Sequence, residues 1–222
     1  MIMGEKTLPG ADLPGSLAAR SDEELLRQSQ EKNYGAFEEL VKRYEGRIYR
    51  LGLRMLHSPQ DAEDLLQKTF LSVFESMGRF RGESRVSTWI FRIATNHALM
   101  KLRKDHGRPV KSLDSPDFPG VELPLARLID EDSDISLYYE KKEFLKHLEQ
   151  AVVELPDIYR LIFILRDVEG FSNGEVAQML DLSVPAVKSR VLRARMYLRD
   201  SILKSMGKEG DHVQPPGNIP PS

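Results

Sequence analysis

Apolar residues recur along most of this chain at three- and four-residue intervals, the period of an α-helix packed on one face. The pattern begins near Ser21, a plausible cap before Glu23 and Glu24. It runs through Ala36, Phe37, Leu40, Val41 and Tyr44, and on through Ile48, Leu51, Leu53, Met55 and Leu56 to His57. Ser58-Pro59 restarts it, since Ser caps and Pro suits the first helical position, where its missing N–H has no partner to lose. In this next helix Ala62, Leu65, Leu66, Phe70, Val73, Phe74 and Met77 form the apolar stripe. Asp61, Asp64, Gln67, Lys68 and Glu75 lie off it. Two glycines, Gly78 and Gly82, bracket a loop, and a further helix is predicted from Ser87 to about Lys104. Helical patterning returns from Leu137 to Val153 and again after Pro156. Two more helices follow, capped by Ser172 and Ser183. No strand alternation and no internal repeat appears, so the predicted fold is all-α.

Composition divides this helical chain. Residues 1–20 hold Gly and Pro without periodicity and read as a mobile leader; residues 207–222 read as a disordered tail. Between 109 and 136, prolines and acids displace the pattern, which predicts a linker. The division is therefore a helical domain at 21–108, a flexible acidic linker at 109–136 and a second helical domain at 137–206. The net charge of −2 hides a strong asymmetry. Residues 79–108 carry eight Lys and Arg against two acids, and 183–204 carry six against one. The segment between, 109–136, has two against seven. Two basic segments flanking an acidic one suggest contact with a polyanion at two places.

The segment from Phe163 to Arg199 has the outline of a helix-turn-helix, whose second helix enters a DNA major groove. Val187, Val191, Ala194 and Leu198 fall on one face of that helix. Pro185, Ser189, Leu192, Arg193 and Met196 fall on the other, flanked by Lys188 and Arg199. This supplies donors for base edges, apolar atoms for thymine methyls and cations for phosphates. A basic amphipathic helix on an ordinary bundle would show the same charges. Asp181 occupies the turn, where Gly is commoner; Asp tolerates the left-handed conformation better than most residues.

Thr88 to Lys104 is less usual. Ile90, Phe91, Ala94, Ala98 and Leu102 make one face. Trp89, Arg92, Asn96, Met100 and Arg103 line the other, and Arg79, Phe80, Arg81 and Arg85 precede it. Cations, an amide and an indole on one stripe suit unpaired nucleic acid: charges follow the backbone, rings stack on bases and Asn reads an edge. The competing reading buries Trp89 and leaves the arginines solvated. Catalysis has no support: the five histidines show no metal spacing and no Gly-rich phosphate loop follows a strand. With no cysteine, disulfides and thiolate chemistry are excluded, in keeping with a reducing cytoplasm. No apolar run reaches the roughly 20 residues of a membrane span, so no membrane insertion is expected.

In four blocks the chain resembles the extracytoplasmic function (ECF) sigma factors, group IV of the sigma-70 family: AFEELVKRY (36–44), DAEDLLQKTFLSVFESMGRFRGES (61–84), STWIFRIATNHALMKLRK (87–104) and SNGEVAQMLDLSVPAVKSRVLRAR (172–195). The resemblance implies a non-enzymatic promoter-specificity subunit of RNA polymerase that needs no cofactor. The first domain would correspond to sigma region 2. Its Asp61, Asp64, Gln67 and Lys68 would dock on the clamp helices of the polymerase largest subunit. Its Phe80, Arg81, Ser84, Arg85, Trp89, Arg92, Asn96 and Arg103 would open and hold the −10 element. The second domain would correspond to region 4, meeting the polymerase flap. It would read the −35 element as duplex through Ser183, Pro185, Ala186, Lys188, Ser189, Leu192, Arg193 and Arg199. An anti-sigma protein is an implied partner, holding the chain off the nucleoid and, in some arrangements, at the membrane. A stand-alone helix-turn-helix regulator is the alternative; it would have no use for the acidic ridge or for Trp89. A nuclease would need acids or histidines clustered beside the basic helices.

Overall fold

A computed structural model describes residues 17–105 and 135–205, with side chains from 144 onward in the second stretch. The predicted tail, leader residues 1–16 and most of the acidic linker lie outside these residues; the end of the predicted mobile leader is instead ordered, with Leu17–Ala19 forming a short 3-10 helix whose Leu17 and Ala18 carbonyls accept from Arg43. Eight α-helices are described: α1 (Asp22–Gln30), α2 (Tyr34–Leu56), α3 (Pro59–Ser76), α4 (Val86–Asp105), α5 (Ile135–Glu154), α6 (Asp157–Phe163), α7 (Asn173–Leu180) and α8 (Val184–Ser205).

Their ends follow from short-range chemistry. The Ser21 hydroxyl accepts from the N–H of Glu24, the Asn33 side chain from that of Ala36, and Ser58 from that of Asp61. Each satisfies one of the amides a helix start leaves unpaired. His57 closes α2 at φ 55°, ψ 29°, a left-handed residue that turns the chain into Ser58-Pro59. At α7 Ser172 and Glu175 cap reciprocally. Asp181 ends that helix at φ 53°, ψ 50°, the left-handed turn its residue type permits.

Helices α1–α4 form the first unit, around Leu25, Leu40, Ile48, Leu51, Met55, Ile90 and Phe91, all fully buried. α2 and α3 approach closely because Gly52 has no side chain. A Cβ there would lie 3.0 Å from the Cα of Ala62 and 3.0 Å from a methyl of Leu65. In the second unit, α5, α6 and α8 enclose Leu148, Ala151, Val152, Leu155, Phe163, Ala194, Leu198 and Ile202. The two units also touch one another. Leu161, Ile162, Phe171, Val176, Ala177 and Met179 join the apolar cluster of the first unit, and α7 packs across α4.

Candidate nucleic-acid and polymerase interfaces

Three surfaces carry the residues singled out in the sequence. The first is the outward face of α8. Ser183 accepts from the N–H of Ala186 at 3.3 Å and fixes the start of the helix. Val187, Val191, Ala194 and Leu198 are buried, as their spacing predicts. Pro185, Lys188, Ser189, Leu192, Arg193 and Arg199 stand exposed, with Ala186 half-buried among them. Leu192 is 60% exposed, unusual for leucine and suited to meeting an apolar atom in a groove. Arg199 pairs with Asp200 at 2.7 Å. Arg195, outside the predicted set, is held by both oxygens of Asp167, hydrogen bonds that keep its guanidinium pKa above the ordinary value. It braces α8 against the turn after α6.

The second surface is the loop before α4 and the helix itself. Arg92, Asn96, Met100 and Arg103 form an exposed stripe, with Arg81 and Arg85 exposed in the loop and Ser84 half-buried. Trp89 departs from its predicted place. It is 5% exposed, and its ring lies 4.8 Å from that of Phe80, which folds back over it. A helical wheel assigns Trp89 to the outer stripe because the wheel cannot include the loop that covers the first turn of α4. Phe80 is itself half-buried by the same contact. The Trp89 ring is thus covered in this arrangement, while Phe80 keeps part of its surface exposed.

The third surface is the outer ridge of α3. Asp64, Gln67 and Lys68 are exposed. Asp61 is drawn to α4 by Lys101 at 3.0 Å, so it is partly committed to the unit's own structure. Behind the ridge a cleft of about 160 Å³ between α3 and α4 is lined by Asp61, Lys68, His97 and Met100. The Ser72 hydroxyl and His97 Nε2 are 3.0 Å apart. Burial, with Lys68 nearby, lowers the His97 pKa. The ridge continues into apolar residues that sequence reasoning placed elsewhere or passed over. Phe74, predicted to face the core, is 42% exposed with its edge on Phe37; Leu71 is 62% exposed. Leu71 lies seven residues after Asp64, two turns along the same face, and this spacing was the signal available.

Residues 40–108 match the family model of sigma-70 region 2, and residues 145–198 match that of sigma-70 region 4. The ECF RNA polymerase sigma factor SigW of Bacillus subtilis is 30% identical over 184 residues, covering 80% of this chain and 94% of that protein. This chain is an ECF sigma factor. The RNA polymerase sigma-H factor of Pseudomonas aeruginosa is 29% identical over 87% of this chain and 99% of its own. Two solved structures share the fold. CnrH in complex with the cytosolic domain of CnrY matches 83% of this chain and 97% of its own, at TM-score 0.57 and 24% identity. The sigma factor RpoE bound to the anti-sigma factor NepR, from Bartonella quintana, matches 76% and 96%, at TM-score 0.55 and 21% identity.

The sigma factor thus directs promoter-specific initiation by RNA polymerase, and the stand-alone regulator and the nuclease are set aside. Its family is one of transcription initiation factors. Among the described residues no side-chain group is arranged to hold a metal, and no helix is long and apolar enough to cross a membrane.

Proposed function

We propose that the three surfaces divide the work of initiation. The outward face of α8 reads the −35 element as duplex. Lys188, Ser189 and Arg193 supply donors and cations, and Leu192 and Pro185 supply apolar contact. The α4 stripe, with Arg81, Ser84 and Arg85, holds the unpaired −10 strand, Asn96 hydrogen-bonding a flipped base between Arg92 and Arg103. Phe80 lies at the edge of that surface, and Trp89 joins it only after the loop opens. The α3 ridge of Asp64, Gln67 and Lys68, extended by Leu71 and Phe74, docks on the clamp helices of the polymerase largest subunit. The second unit meets the polymerase flap. One observation carries this reading: a charged-and-apolar ridge and a cationic stripe with a central amide lie on two helices, α3 and α4, packed against one another. A polymerase-bound helix can then deliver its neighbour to melted DNA. The unstacking of each base costs a few kcal/mol, which polymerase contacts would supply.

Two structural relatives are bound to protein partners, one of them named an anti-sigma factor. We extend that to this chain: an anti-sigma protein is its expected regulator, and it works in the cytoplasm that holds the polymerase and nucleoid.

The division is tested with two variants. Asn96→Ala should cut open-complex formation, read by permanganate reactivity of −10 thymines, about tenfold or more, at unchanged binding to −35 duplex. This corresponds to losing one base-edge contact of roughly 1–3 kcal/mol. Arg193→Ala should do the reverse. Loss of both activities by either variant would contradict the division.

A further inference from the structure

Along α8, Lys188, Leu192, Arg195 and Arg199 follow one another at four-, three- and four-residue steps. They therefore lie along one flank of the helix, beside the face assigned above to the −35 element. All four are exposed. Lys188, Leu192 and Arg199 belong to the DNA-facing set read from the sequence, and Arg195 does not. Arg199 is paired within its own helix by Asp200, at 2.7 Å. Arg195 instead reaches to another element. Its Nη2 donates to one carboxylate oxygen of Asp167, and its Nε donates to the other at 3.3 Å.

Asp167 belongs to a π-helical turn, Ile164–Val168, that continues α6. The N–H of Glu169 donates to the Ile164 carbonyl, five residues back, at 2.9 Å. Such wide turns are uncommon and recur at functional sites. Ile164 and Leu165 of this turn are fully buried, so the carboxylate beside them is anchored to the core. The Arg195 side chain is 55% exposed against 21% for that of Asp167. The arginine is therefore the partner that can move.

A guanidinium fork grips a carboxylate or a phosphate with the same pair of parallel N–H···O bonds. Asp167 and a DNA phosphate are thus alternative occupants of one fork. A half-exposed ion pair is screened by solvent and salt, so a closer anion can displace its acid. The attraction of a phosphate rises steeply as it nears and is screened beyond about 10 Å at 0.1 M salt. A phosphate pinned against this flank by a seated helix meets that condition. A loosely held, water-separated phosphate does not.

We infer that Arg195 makes a conditional phosphate contact, leaving Asp167 only when α8 is seated in its own DNA site. Asp167 is then a specificity-determining residue that touches no DNA: it withholds one phosphate contact from every other duplex. Base-edge contacts choose the sequence. The exchange widens the ratio of specific to non-specific binding, which is what counts against a genome of competing sites. The inference rests on the assignment of α8 to duplex DNA.

Salt dependence reads the exchange directly, because each phosphate contact adds about 0.9 to the steepness of log affinity against log salt. The cognate probe is a duplex carrying the sequence that the full-length chain selects from a random pool; a scrambled duplex of the same composition is the other probe. Arg195→Gln should make the cognate slope shallower by about 0.9 and leave the scrambled slope as it is. Asp167→Asn keeps the shape and removes the charge. It should do the converse, steepening the scrambled slope by about 0.9 and leaving the cognate slope as it is. Thermal unfolding checks that both variants fold, and each decides alone should the other fail to fold. Unchanged slopes on both duplexes, whatever the affinities, would make the pair a brace only and overturn the inference. A slope change of equal size on both duplexes overturns it as well. If no sequence is selected from the pool, or Arg193→Ala binds the selected duplex as the unsubstituted chain does, the assignment of α8 fails and this inference falls with it. A selected sequence with unchanged slopes faults the exchange alone.

Discussion

Arg160 is the residue whose role is least visible in its neighbours along the chain and largest in the structure. It is 7% exposed. Its guanidinium donates to the carbonyls of Val152, Val153 and Leu155 at the end of α5 and to that of Met55 at the end of α2. These are carbonyls that helix ends leave without intrahelical partners, at the negative ends of two helix dipoles. Burial lowers the Arg160 pKa, with Asp157 opposing at 3.6 Å. Arg160→Ala should cost about 2–5 kcal/mol in urea unfolding, since it strands several buried acceptors at once. Its contact His57 is pushed down to a pKa of about 4, by burial first and by the Arg160 charge second. His57 is therefore neutral in the folded chain, while in the unfolded chain it gains a proton near pH 6.5. Its contribution is complete above about pH 6.5 and is lost as pH falls toward 4. Urea midpoints at pH 7.5 and pH 5 should show the unsubstituted chain losing more stability than His57→Asn, which keeps a residue tolerant of the left-handed turn. Comparing the two proteins cancels His97, which titrates in both. An equal loss would remove His57 as the cause.

At the scale of the helix, local chemistry was legible and covering chemistry was not. The caps at Ser21, Ser58, Ser172 and Ser183 and the left-handed Asp181 follow from residue type and position, and the structure has them as read. Trp89 and Phe74 were misplaced for one shared reason. A wheel assigns faces from angle alone, but burial depends on what lies over each turn. Phe80 closes over Trp89, while Phe74, in edge contact with Phe37, is left 42% exposed. Gly52 was passed over because a glycine inside an apolar run adds nothing to a periodicity count, yet it sets the α2–α3 distance. Gly52→Ala tests this. Helix propensity alone would favour alanine by about 1 kcal/mol. The 3.0 Å approach to the Ala62 backbone should reverse the sign and give a net loss of about 1–3 kcal/mol in thermal unfolding. A gain in stability would mean that α2 and α3 are not in close contact there.

For the whole molecule, charge asymmetry pointed only to a polyanion, while the resemblance of four motif blocks in order reached the family, and the family matches agree. What could not be read was how the two units meet. Glu169, Phe171 and Arg47 sit in ordinary local surroundings, and only the fold brings Glu169 to Arg47, 122 residues earlier. The length of chain between the two units also hides such a contact, because it permits many arrangements. On the proposed reading the first unit carries the polymerase contact on α3 and melts DNA through the neighbouring α4. The most direct measurement combines core-polymerase pull-down with promoter-dependent transcription, for the unsubstituted chain and for Asp64→Arg. The unsubstituted chain should bind core polymerase and yield a promoter-specific transcript. Asp64→Arg, folded by circular dichroism and still binding −35 duplex, should lose both. Normal binding and transcription by folded Asp64→Arg would contradict it.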